Sequence, residues 1–272
     1  MRVELGDVGL EVDVQGADGG TPVVLLHGFP DSGRVWCHQT GVLAEAGFRV
    51  IVPDLRGYGG SDKPAPVEAY RAAHLLSDIA GVLDHLGIGR THVVGHDWGA
   101  SLAWALAMFA ADRVDHLTVL SVGHPTSFRT AGLEQRQRSF YMLLFLFEGV
   151  AERWLSDDDW ANFRQWAGHP DADAVIADLE KDGSLTPALN WYRANTPAKT
   201  WVEDPPERPP VPAPTMGIWS SGDRALTETQ MVGSARHVAG PWRYERVDGA
   251  GHWLQLEAPH TVNRLLLDFL PH

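Results

Sequence analysis

Short β-branched and aliphatic runs alternate along this chain with stretches of helical periodicity. Residues 10–14, 23–26, 49–52, 92–94 and 117–122 read as strands. Between two of them, Leu75, Leu76, Ile79, Val82, Leu83 and Leu86 recur at helical spacing and stop at Gly87, a glycine placed to end a helix. Strands that alternate with helices predict an α/β fold with a mostly parallel, doubly covered sheet.

The pattern changes after Val122. Residues 126–204 carry helical spacing and five tryptophans, Trp154, Trp160, Trp166, Trp191 and Trp201, without a convincing strand. Residues 205–214 are too rich in proline to be helical and predict a stiff return. A strand at 215–220 then resumes the alternation, and Val262, Leu265, Leu266, Phe269 and Leu270 mark a final helix. The expected organisation is a core of residues 1–125 and 205–272 with an inserted helical cap at 126–204.

A chain of 272 residues can bury the core of one large α/β domain, so no second independent domain is required. Its 22 basic and 35 acidic residues give a net charge of −13, which disfavours nucleic acid and anionic membranes as partners. Cys37 is the only cysteine, which excludes an intrachain disulfide and a cysteine-based metal site. The histidines form no zinc-type pair, and neither a metal nor a cofactor is expected. The first seven residues lack the apolar stretch of a signal peptide, and no run reaches transmembrane length. A cytoplasmic enzyme is the expectation.

The most informative string is Gly95-His96-Asp97-Trp98-Gly99, directly after the run at 91–94 and directly before good helix formers at 100–107. A strand-to-helix elbow presents its central side chain as a nucleophile, and its glycines let strand and helix backbones approach closely. Such a string on its own also describes many ordinary turns. Here the presented group is a carboxylate, whose oxygen displaces a leaving group from an alkyl carbon and leaves an ester on the enzyme. Water must then hydrolyse that ester, with a base of suitable pKa. His252, in Asp248-Gly249-Ala250-Gly251-His252-Trp253, is the candidate base, although a lone histidine in a loop is more often just solvated. Asp223, ending Ser220-Ser221-Gly222-Asp223, is the candidate acid that orients it, against the plainer role of a turn or capping aspartate. The loop Gly123-His124-Pro125-Thr126-Ser127, the other place for that acid, has none. Ester hydrolysis also needs two donors for an oxyanion, and the backbone N–H groups of Trp98 and Phe29 are the candidates.

With this set, the chain resembles the α/β-hydrolase family and, within it, the epoxide hydrolases. The resemblance spans nearly the whole chain through His27-Gly28-Phe29-Pro30, the run from Asp54 to Asp62, the elbow, Asp223 and Gly251-His252-Trp253. Haloalkane dehalogenases are similar in carrying an Asp-Trp elbow, so a dehalogenase is the alternative. The leaving group separates the two. Opening an epoxide releases a strongly basic alkoxide, which needs a donor, whereas a halide needs no proton. Tyr141 and Tyr192 look like the tyrosine pair of epoxide hydrolases, while a tyrosine met without that context more often only packs. Position 29 is Phe where a dehalogenase would ask for Asn, although a cap tryptophan could still hold halide, and no arginine follows the elbow as in fluoroacetate dehalogenases. Residues 140–147 with Phe29, Trp36, Trp98 and Trp191 suggest an apolar pocket for a small uncharged epoxide, with water as co-substrate; helix packing accounts for the same residues almost as well. An alternative of another class is a non-catalytic receptor for a hydrophobic ligand, against which the intact Asp97, Asp223 and His252 argue.

Overall fold

Eight strands form one sheet in a computed structural model that describes residues 1–272, the side chain of Asp182 excepted. They are β1 (Arg2–Glu4), β2 (Gly9–Gln15), β3 (Thr21–Leu26), β4 (Phe48–Pro53), β5 (Thr91–His96), β6 (Val114–Leu120), β7 (Thr215–Ser220) and β8 (Trp242–Val247). Their order across the sheet is β1-β2-β4-β3-β5-β6-β7-β8. Only β1 with β2 and β2 with β4 pair antiparallel; every other pairing is parallel. Three-residue β1 is too short for its periodicity to stand out in the sequence. Strand β6 ends earlier than the hydrophobic run suggests, because Ser121 turns the chain with φ 67.

Successive side chains of a strand point to opposite faces, and β3 shows the result. Val24 and Leu26 enter one core, which includes residues of α2 (Ala72–His85) and α3 (Trp98–Phe109). Val23 and Leu25 enter the other, shared with α1 (Thr40–Glu45) and the carboxyl-terminal helix Pro259–Phe269. Helix α2 buries Leu75, Ile79, Val82 and Leu83 and ends before Gly87, whose φ of 69 is the left-handed conformation expected after a helix end.

Between β6 and β7 every regular element is helical: α4 (Pro125–Thr130), α5 (Leu133–Arg138), α6 (Tyr141–Phe145), α7 (Val150–Ala167), α8 (Ala172–Glu180) and α9 (Leu185–Asn195), with short 3-10 turns. Helix α7 breaks at Asp157–Trp160, where Asp158, Asp159 and Trp160 all have positive φ. From Val202 to Pro214 no helix forms, and only Val211 bridges, to Val238. The remaining helices are α10 (Glu228–Gly233), α11 (Leu254–Glu257) and α12, the Pro259–Phe269 helix. None is long and apolar enough to cross a membrane among the described residues.

Candidate active site

Parallel pairing brings the carboxyl ends of β3, β5, β6, β7 and β8 to one edge, where ligand crevices of open α/β sheets lie. Asp97 stands between β5 and α3 with φ 52 and ψ −120, a left-handed conformation that only Gly adopts without strain. A Cβ at Gly99 would overlap the carbonyls of Leu26 and His27, and one at Gly95 would overlap the backbone of Gly99 and Ala100. The two glycines therefore let the elbow turn within a close-packed strand-to-helix junction.

Asp97, His252 and Asp223 form a line. His252 Nδ1–H donates to Asp223 Oδ2 at 2.9 Å, and its Nε2 faces Asp97 Oδ2 at 3.7 Å, too long for a direct hydrogen bond. The other oxygen of Asp223 accepts from the Ala225 and Leu226 N–H groups at 2.8 and 2.9 Å, which fixes the carboxylate. Burial alone would lower the His252 pKa, but the charge and hydrogen bond of Asp223, with Asp97 beyond, hold it at about 10. Burial would raise both carboxyls, yet the neighbouring His252 brings Asp97 and Asp223 below the usual range.

Asp97 Oδ1 accepts from the Phe29 N–H at 2.8 Å, and the Trp98 N–H helps lower its pKa. Both backbone donors named from the sequence thus gather at Asp97. A Cβ at Gly28 would fall on Asp97 Oδ1 and Trp98 N, so only glycine permits that approach.

Tyr141, on α6, and Tyr192, on α9, come from the helical segment and line the same cavities as Asp97, with ring centroids 6.2 Å apart. Tyr192 packs edge-on to Trp98 at 5.1 Å and to Phe29 at 5.5 Å. Burial first and the Asp97 charge among the further causes push both phenols well above their ordinary pKa, which keeps them neutral donors. Two cavities, of about 680 and 480 Å³, share Asp97, Tyr141 and Tyr192 in their walls. Trp98, Trp191 and Met142 line the larger; Phe29 and His252 line the smaller.

Trp36 is a correction. It is fully buried in the turn Gly33–Trp36, inside the core of the opposite sheet face with Val35, Leu43 and Val52, and lines neither cavity. Phe140 and Phe147, in the run expected to line the pocket, are more than half exposed instead.

Several residues that the sequence does not single out hold the site. His96 Nε2–H and Ser121 Oγ–H both donate to the His252 carbonyl, at 2.9 and 3.1 Å, which anchors His252 from the ends of β5 and β6. Burial and the neighbouring His252 charge push His96 down to about 4, so it stays neutral. Asp31 accepts from His169 Nε2 at 3.1 Å and Trp253 Nε1 at 2.8 Å, tying a histidine of the helical segment to the residue after His252. These contacts run through backbone carbonyls or across long sequence separations, where no local motif signals them. Among the described residues no group of three or more His, Cys, Asp or Glu could hold a metal ion.

The profile of the α/β hydrolase fold matches residues 21–259. The chain belongs to the α/β-hydrolase family. Epoxide hydrolase A of Mycobacterium tuberculosis is 33% identical over 98% of this α/β hydrolase and 96% of its own length. Among solved structures, one described as a novel epoxide hydrolase from metagenomes of hot environments superposes with a TM-score of 0.89 at 31% identity, covering 100% of this chain and 98% of that one. The Bacillus megaterium epoxide hydrolase in complex with an inhibitor gives 0.89 at 27% identity, covering 99% of each chain.

Proposed function

We propose that this α/β hydrolase is an epoxide hydrolase that opens an epoxide to a vicinal diol through an ester on Asp97. The observation that carries the reading is that two neutral phenols, Tyr141 and Tyr192, share the walls around the carboxylate that His252 and Asp223 serve. A haloalkane would use the same ester but leaves the phenols without a task. The similarity to epoxide hydrolases supports the same choice.

In this mechanism Asp97 Oδ2, the oxygen that faces His252, attacks an epoxide carbon. The carbon–oxygen bond breaks as Tyr141 or Tyr192 gives its proton to the leaving oxygen. Esterification removes the Asp97 charge, one of the causes that keep His252 protonated, so His252 can release its proton and return the phenol to its neutral form. Neutral His252, held by Asp223, then takes a proton from water attacking Asp97 Cγ. Oδ1 becomes the oxyanion, already accepting from the Phe29 N–H, with the Trp98 N–H at the same carboxylate. Collapse breaks the Cγ–Oδ2 bond, and the expelled alkoxide takes the proton of the new carboxyl group, leaving the diol, an ionised Asp97 and a protonated His252 as at the start.

Residues 126–204 act in this reading as a cap that supplies the phenols, closing over a core of residues 1–125 and 205–272. Parallel assays of diol from styrene oxide and halide from short haloalkanes test it. Diol without halide is expected; efficient halide release without diol would hand the site to the dehalogenase reading.

A further inference from the structure

The larger cavity runs along α3 from Asp97 to Met108, and the Met108 end differs from the end at Asp97. Trp98, Ser101, Leu102, Ala105 and Met108 lie on one face of α3 and form its floor. At the helical rise, ten residues of floor amount to about 15 Å. Beyond Met108 stand His124, whose Nε2 is 3.2 Å from the Met108 sulfur, and His237, stacked on His124 at 4.1 Å.

Arg208 and Arg129 line this end. Arg208 extends from the proline-rich return stretch and is half-buried, and among the described residues its side chain makes neither a hydrogen bond nor an ion pair. Its Nε is shielded from solvent and has no partner. Arg129 spends Nη2 on the carbonyls of Thr200 and Glu203, at 3.0 and 2.6 Å, and its Nε is likewise buried and unpartnered. Burial first, then the Arg129 charge, lowers the Arg208 pKa, and the Arg208 charge is in turn among the causes that bring His124 down to about 3. Glu203 lines the same end, yet it is exposed and its carboxylate pairs with neither arginine. By contrast, buried Arg56 meets Asp78 in a two-pronged pair at 2.8 and 2.7 Å.

A half-buried guanidinium beside a second one, with no counterion, is costly in a chain that carries an excess of 13 acidic charges. A planar carboxylate matches the guanidinium fork and would relieve that cost. The apolar floor between Asp97 and the arginines then dictates the rest of the ligand. We propose that Arg208 and Arg129 bind the carboxylate of an epoxide that carries an acid at the end of a long apolar chain. This assignment rests on the epoxide hydrolase reading, and it replaces the uncharged substrate expected from the aromatic residues. Arg71 and Arg136 also line the cavity, but both are exposed and solvated and are not needed.

The test compares the epoxide of oleic acid with that of its methyl ester, in wild type, Arg208→Met and Arg208→Lys, alongside calorimetric binding of unreactive oleate. In wild type the acid should exceed the ester in kcat/KM by roughly 10- to 100-fold, mainly through KM, the worth of a charge-assisted contact. The ratio should collapse toward one in Arg208→Met and survive in part in Arg208→Lys, with oleate affinity following the same order. Equal turnover of acid and ester by wild type, or an acid preference unchanged in Arg208→Met, would overturn the proposal, and the first comparison stands even if the Met variant does not fold. Arg208-dependent oleate binding in an enzyme that makes no diol from either compound or from styrene oxide would uphold the carboxylate site and sink the epoxide reading instead.

Discussion

The Phe29 N–H donates to Asp97 Oδ1 at 2.8 Å, while Oδ2 of the same carboxylate faces His252. One carboxylate therefore presents two unlike oxygens: one held by the backbone where an oxyanion would form, the other free to attack. The distinction depends on Gly28, because a Cβ there would occupy the place of Oδ1.

Gly28→Ala should displace the Phe29 N–H from Asp97 and slow ester hydrolysis by roughly 10²–10³-fold, the usual cost of one oxyanion donor. Rapid-quench measurements should find the ester accumulating during turnover. An unchanged hydrolysis rate in a folded variant would remove the Phe29 N–H from the mechanism.

Tyr141→Phe and Tyr192→Phe should each slow alkylation, and the double variant should lose epoxide opening by at least the roughly 10²–10⁴-fold typical of one general acid. Pre-steady-state formation of the ester is the readout. Opening at close to the wild-type rate in the double variant would reduce both tyrosines to packing.

The pKa directions set the pH response of the two chemical steps. Alkylation needs an ionised Asp97, whose pKa lies below the ordinary carboxylate range, so that step should persist into acid solution. Hydrolysis needs neutral His252 and should fall as pH drops. Asp223→Ala removes the largest influence that raises the His252 pKa, so hydrolysis should slow through lost orientation while its pH profile moves to lower pH. For stability the sign is the following: a histidine raised to about 10 in the fold stabilises fully below its unfolded value of about 6.5, and this contribution fades as pH rises toward 10. Melting temperature should therefore fall across that window more in wild type than in His252→Gln. Equal falls would show that the histidine is not held protonated in the fold.

Much of this arrangement is legible in the sequence, for a physical reason. Asp97, Asp223 and His252 each follow a strand in a glycine-containing string, so local composition marks both the turn and the side chains that the fold brings together. Phe29 is visible in the same way, because what it brings to Asp97 is a backbone N–H. Trp36 is misread because hydrophobicity does not say which face of the sheet a residue joins, and the 3-10 turn after β3 carries it to the far core. His96 and Ser121 stay hidden because they act on the carbonyl of a residue more than a hundred positions away. Arg208 is hidden for a different reason: its significance is a missing counterion, which composition cannot register.

The covalent ester on Asp97 is the central claim, and His252→Gln exposes it most directly. Without the base, alkylation should proceed and hydrolysis should stall. Intact-protein mass spectrometry after incubation with styrene oxide should then show the mass of one epoxide added, and peptide mapping should place it on Asp97. An unmodified protein, or an adduct mapped to another residue, would contradict the account.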